Sequence, residues 1–198
     1  MWGGAPRRFG KTCGAEAPRR LKSAPPYMAW SIYLVTATPE QKLMDILALQ
    51  QGERVLYAAC GLGRWSARLV ATGALVTGID IHAPLLEQAR IACPQAEFHA
   101  ADVLTWTPAE SFDAIYAFAT LHWVLPPDQA ARALRTMLKP GGRLAAAFGG
   151  LSATARELDG CYQPEPDEYA RVLAAAGFAI LEIRCVEHHF FVHARREQ

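Results

Sequence analysis

The chain has 198 residues, 52% of them hydrophobic and 20% charged, which fits one globular domain, leaves little room for a second, and excludes wholesale disorder. Lys plus Arg number 20 against 19 for Asp plus Glu, so the net charge of +1 gives no global attraction to nucleic acid or to an anionic membrane. The longest apolar run near the start, Met28 to Val35, is far shorter than the roughly 20 residues that a membrane-spanning helix needs.

Residues 1–27 hold six basic side chains (Arg7, Arg8, Lys11, Arg19, Arg20, Lys22) against the single Glu16, a net +5 that leaves 14 basic and 18 acidic residues in the remainder. Rich in Gly, Pro, Ala and Arg and without an apolar period, this segment reads as a disordered or loosely attached head before a domain at 28–198. A transit segment, a nucleic-acid arm, and a true start at Met28 are the other readings of the head.

From Thr38 the punctuation is clear. Thr38 suits a helix cap, Pro39 the first helical position, and Gln41 the third residue of a capping box. Leu43, Met44, Ile46, Leu47 and Leu49 give the helix an apolar face, with Gly52 as its stop. A short apolar strand, Arg54 to Ala59, runs into the turn Cys60-Gly61-Leu62-Gly63 and a helix from Arg64 to Ala71. The alternation continues with strands at Ala74–Ile79, Ala96–His99 and Phe112–Phe118 and with helices at Pro84–Ala92 and Asp128–Leu138. Pro140-Gly141-Gly142 stops the last of these before a strand at Arg143–Phe148. Strands alternating with helices imply a doubly wound, mainly parallel sheet of the α/β class. After a helix at Asp167–Ala176, two strand-like runs, Phe178–Val186 and His189–Arg195, have no helix between them and so predict a C-terminal antiparallel hairpin.

In an open α/β sheet the ligand lies beyond the carboxyl ends of the strands. Four features collect there: the CGLG turn after the first strand, Asp80 ending the second, Asp102 after the third, and Ala119 to Trp123 after the fourth. Glycines let backbone N–H groups approach a ligand. An acidic residue ending the next strand suits the two ribose hydroxyls, because a carboxylate accepts both hydrogen bonds. Asp102 is placed to accept from the exocyclic amine of adenine, with Val103 beside the ring. Together these loops describe an adenosine site.

At this point the chain resembles the class I S-adenosylmethionine-dependent methyltransferases, from about Gly52 to the C-terminus. The carriers are ERVLYAACGLGRW, VTGIDIHAPLLEQAR, AEFHAADV, FDAIYAFATLHWV and LRTMLKPGGRLAAAFGG. Within that family, GRW after the glycines, the LHWV text after the fourth strand and FGG after the fifth are most similar to the trans-aconitate methyltransferase group, which esterifies small carboxylic acids. The resemblance implies a seven-stranded Rossmann-like methyltransferase fold, S-adenosylmethionine as cofactor, and a small-molecule methyl acceptor. It places Ala59, Cys60, Gly61, Gly63, Asp80, Ile81, Asp102, Val103 and Ala119 at the cofactor. Where the family's first motif has an acidic residue this chain has Tyr57, and where it has its first glycine this chain has Ala59. A left-handed alanine costs about 1 to 2 kcal/mol.

Methyl transfer from a sulfonium is an in-line displacement governed by positioning and desolvation. His122 is the candidate base for a hydroxyl or amine acceptor, although a structural role is the commoner one for a lone loop histidine. Trp123 is the candidate substrate contact, with a core role as the alternative. Cys60 reads as a packing residue, since no partner base is evident. His188, His189 and His193 are kept apart by strand geometry, and no metal site is expected. The five cysteines, at 13, 60, 93, 161 and 185, contain no CxxC pair and read as reduced thiols in a cytoplasm. The function expected is methyl transfer to a carboxylate or hydroxyl oxygen of a small molecule. The alternatives are a degenerate methyltransferase-like binding or regulatory module and, disfavoured by the incomplete glycine motif, a nicotinamide dehydrogenase. No nucleic-acid or membrane partner is expected, and the sequence leaves the oligomeric state open.

Overall fold

A computed structural model describes residues 38–149, 162, 164–186 and 189–198. The head at 1–27, a start at Met28, and most of the interval between Phe148 and Pro166, which looks short for an active-site cover, lie outside the described residues. In chain order the elements are α1 (Pro39–Leu47), β1 (Arg54–Ala58), α2 (Ser66–Ala71), β2 (Leu75–Asp80), α3 (Ala83–Ala92), β3 (Glu97–Ala100), β4 (Phe112–Phe118), a 3₁₀ turn (Leu121–Trp123), α4 (Pro127–Met137), β5 (Leu138–Gly149), α5 (Pro166–Ala175), β6 (Phe178–Val186) and β7 (His189–Arg196).

The strands form one seven-stranded sheet in the order β3-β2-β1-β4-β5-β7-β6. The pairs β3-β2, β2-β1, β1-β4 and β4-β5 are parallel, whereas β7 runs antiparallel to both β5 and β6. This is the doubly wound sheet with a reversed terminal hairpin that the alternation predicts. Order reverses at β1, whose neighbours β2 and β4 lead away in opposite directions, and ligands of open sheets bind at that switch point.

Side chains alternate across the strands and feed two cores. Leu56, Ala58, Ile115, Ala117 and Leu144 face one side, under α4 and α5 through Ala131, Leu134, Tyr169 and Leu173. Val55, Tyr57, Ala114, Tyr116 and Ala145 face the other, under α1, α2 and α3 through Leu43, Leu47, Leu69, Leu86 and Ala89. Strands buried on both faces explain why β1 and β4 read as near-continuous apolar runs.

Local signals are borne out unevenly. The Thr38 hydroxyl accepts from the Gln41 N–H at 3.3 Å and Pro39 opens α1. The Gln41 side chain instead donates to Asp45 at 2.9 Å, so the capping box is only half made. The helix stops at Leu47 because Ala48 turns left-handed (φ 47°), not at Gly52, which takes φ 82° in the following turn. The Pro140-Gly141-Gly142 run bulges out within a strand that already begins at Leu138, opposite Phe112. Cys185 is disulfide-bonded, which corrects the reading of all five cysteines as thiols, while Cys60 and Cys93 are free and buried. Among the described residues no helix is long and apolar enough to cross a membrane.

Candidate functional site

The loops after β1, β2, β3 and β4 close around one cavity of about 370 Å³ at the carboxyl edge of the sheet. Its wall is built from Ala59 and Gly61, Asp80 to His82, Ala101 to Leu104, and Ala119, Thr120 and Trp123 to Leu125. Sequence reasoning places Ala59, Gly61, Asp80, Ile81, Asp102, Val103, Ala119 and Trp123 together here, and the structure brings all eight to this one wall.

The first loop is locked from below. The Cys60 N–H donates to the Ile79 carbonyl at 2.9 Å, and the Gly63 N–H closes a turn on the Cys60 carbonyl at 2.9 Å. Gly61 adopts φ 53° with no atom near where a Cβ would stand, so its backbone faces open cavity. Gly63 has another role. A Cβ there would sit 2.9 Å from Ala89 Cβ and 3.1 Å from the Phe98 ring, so this glycine lets β1's turn pack on α3 and β3. Cys60 likewise faces the core, its sulfur against Gly78. Gly63 and Cys60, expected against the cofactor, are not among the residues that line the cavity. Burial, helped by the nearby Asp80 charge, pushes the Cys60 thiol up to about 12, in keeping with a packing role.

Asp80 is buried at the end of β2. Its Oδ2 accepts from the Gly61 N–H at 2.8 Å, which ties the β1 and β2 loops together. Its Oδ1 accepts from the His82 N–H at 2.9 Å and lies 3.1 Å from His82 Nδ1. Asp102 Oδ1 accepts from the Leu104 N–H at 2.8 Å, turning the third loop so that buried Val103 faces the cavity. Ile81, Trp123 and Leu125 are large apolar side chains left exposed around this wall, the kind of grouping that marks a ligand site.

Ala59 takes φ 49°, the left-handed backbone that the missing glycine implies. Ala119 does the same, at φ 51°. Two non-glycine residues in this region on adjacent loops are a local concentration of strain of the kind found at functional sites. The Ala119 N–H donates to the Ala147 carbonyl at 3.0 Å, and the Thr120 hydroxyl donates to the Ala58 carbonyl at 3.2 Å, so neighbouring strands hold the loop in place. Tyr57 is buried edge-on against Tyr116, with ring centroids 5.2 Å apart, and fills with aromatic packing the place expected of a carboxylate.

His122 does not reach the cavity. It is buried, edge-on to Phe148 with centroids 5.0 Å apart, with Nδ1 at 3.3 Å from the Tyr162 carbonyl. Burial lowers its pKa. As a base at the described wall it is misplaced, because the 3₁₀ turn directs its ring inward while Trp123 faces out. His82, Ala101, Leu104, Val124 and Leu125 are wall residues that the sequence reading missed, and Thr120 was included only as part of the run after the fourth strand. Only His82, two residues after the key acid, carried a usable signal.

The wall lies at the carboxyl edge of a doubly wound sheet, and residues 55–142 match the family model described as a methyltransferase domain. Over that stretch, less than half of its length, the chain is similar to methyltransferase domains. Among curated relatives it is similar to trans-aconitate 2-methyltransferase of Paracidovorax citrulli (strain AAC00-1), at 39% identity over 112 residues, covering 54% of this chain and 43% of that protein. The chain thus matches less than half the length of that relative. Among solved structures it is similar to the N-methyltransferase NodS from Bradyrhizobium japonicum WM9 in complex with S-adenosyl-L-homocysteine (TM-score 0.68, 19% identity, 87% of this chain and 98% of that one). It is also similar to the [4+2]-cyclase SpnF (TM-score 0.71, 19% identity, 80% of each chain). At these identities the structures speak for the fold.

Proposed function

We propose that this domain binds S-adenosylmethionine at the carboxyl edge of the sheet and serves methyl transfer to a small molecule, at a carboxylate or hydroxyl oxygen. The observation that carries the reading is a cavity of about 370 Å³ that unites Gly61, Asp80, Ile81, Asp102, Val103 and Ala119. That volume falls in the range of small-molecule sites, about 300–1,000 Å³.

Each residue has a part matched to its surroundings. Gly61 presents backbone without a side chain, Asp80 offers acceptors to ribose hydroxyls, and Asp102 keeps Oδ2 for an exocyclic amine while Oδ1 holds its own loop. Ile81 and Val103 supply apolar faces for a ring. When bound, the cofactor supplies an electrophilic methyl group on a sulfonium sulfur. Ala119, Thr120, Trp123 and Leu125 would then shield the acceptor from water and hold it in line, and orientation of this kind is a large part of displacement catalysis. A carboxylate acceptor is already nucleophilic and asks no base of the wall, in keeping with His122 lying elsewhere.

The test is transfer of a labelled methyl group from S-adenosylmethionine to a panel of small carboxylic acids and alcohols. Label in an ester or ether product is the expected result. A folded protein that binds the cofactor yet labels none of the panel would argue for a second reading, an adenosine-binding module without turnover. Tyr57, buried where an acidic residue is expected, favours that second reading, and likeness to a [4+2]-cyclase is a reminder that this fold does not dictate its chemistry.

A further inference from the structure

His82 occupies the N-cap of α3 but makes no side-chain cap hydrogen bond. Its ring turns back over Asp80, with Nδ1 at 3.1 Å from Oδ1. An ionised carboxylate only accepts, so the ring donates through Nδ1–H. The carboxylate has about four acceptor positions, two on each oxygen. Oδ2 gives one to the Gly61 N–H, and Oδ1 gives both, one to the His82 N–H and one to the His82 ring. One position remains, and a ribose presents two hydroxyls. The backbone donors are fixed by the loops they close. The imidazole is not: its side chain is 66% exposed and can swing into solvent.

We propose that the His82 imidazole is a displaceable internal ligand of Asp80, holding the carboxylate position that a second ribose hydroxyl needs and so setting adenosine affinity by competition. This rests on the adenosine reading of the cavity. His82 is a positioning residue in this account, holding Asp80 satisfied and oriented in the ligand-free protein and giving way on binding. Its effect should depend on the ribose hydroxyls, which a merely structural contribution would not.

The experiment has a ligand arm and a ligand-free arm. S-adenosylhomocysteine and its 2′,3′-dideoxy analogue are titrated into wild type and His82→Ala, each verified as folded by thermal melting. The expected result is a tightening of about two- to fivefold for the parent ligand on removing the ring, the scale of an exposed charged contact, with no change for the dideoxy analogue. In the ligand-free arm, ¹⁵N NMR of the His82 ring should show a protonated Nδ1 whose resonance moves in Asp80→Asn. Equal affinities of wild type and His82→Ala, an equal gain for both ligands, or a His82 signal indifferent to Asp80→Asn would each overturn the competition. If neither protein binds either ligand, the proposed function falls and the competition falls with it, so the two failures are distinguishable.

Discussion

Replacing Ala59 with glycine should make the domain more stable, which is unusual for a truncation beside a functional cavity. Ala59 holds φ 49°, and a left-handed alanine costs about 1 to 2 kcal/mol relative to a relaxed backbone. Glycine removes that penalty but brings about 0.5 to 1 kcal/mol of extra chain entropy in the unfolded state. The net expectation is a gain of about 0.5 to 1 kcal/mol, equivalent to about 1 to 4 °C in Tm for a chain of this length. Urea unfolding of Ala59→Gly and wild type, analysed at common m-value, measures it. Ala48→Gly supplies an internal standard, since Ala48 is exposed at the end of α1 with φ 47° and is not among the residues lining the cavity that holds Ala59. Both variants should gain by similar amounts. Loss of stability in Ala59→Gly while Ala48→Gly gains would refute the strain argument at the site and assign the Ala59 methyl a packing role instead.

Three further outcomes follow from the same geometry. Gly63→Ala combines a left-handed backbone at φ 64° with a Cβ 2.9 Å from Ala89 and should cost about 2 to 4 kcal/mol in chemical denaturation, whereas Gly61→Ala, with open space at its Cβ, should cost only about 1 to 2. Cys60, pushed up to about 12 mainly by burial, should stay unreactive toward an aromatic disulfide reagent at pH 8 in the native protein and react on unfolding, as followed by absorbance. Asp113 is partly desolvated, yet Lys139 at 2.7 Å and the Arg54 N–H lower its pKa. A carboxylate with a depressed folded pKa stabilises above its unfolded value and loses that contribution as pH falls. Asp113→Asn should therefore cost about 0.5 to 1 kcal/mol at pH 7 and progressively less as the pH falls below the unfolded carboxylate value and through the depressed folded one, measured by melting across the range.

The parts of this molecule that were legible in the sequence are those in which local chemistry and tertiary demand agree. Strands buried on both faces must be apolar throughout, so β1 and β4 announced themselves, and a tail of two strand-like runs without a helix could only pair antiparallel. Asp80 and Asp102 were legible because an open sheet gathers its ligand groups at one edge. The failures have physical causes too. Gly63 and Gly61 look alike in sequence, yet one faces a cavity and the other faces Phe98, and only packing separates them. His122 and Trp123 are neighbours in a 3₁₀ turn, and the direction in which each points depends on how that turn sits over Phe148. The left-handed Ala119 carried no glycine to signal it, because strand pairing holds its backbone against the alanine's own preference. Beyond its place two residues after Asp80, His82 carries no periodic or motif signal of its own, because its ring meets Asp80 only through the fold of the loop after β2.

The central claim is that the wall formed by Gly61, Asp80, Asp102 and Ala119 takes the adenosine half of S-adenosylmethionine. The most direct test is calorimetric titration of the folded wild-type protein with S-adenosylhomocysteine, run beside NAD. Saturable one-to-one binding of the thioether without binding of NAD is the predicted result. No binding of the thioether by a protein shown to be folded, or equal binding of NAD, would contradict the account.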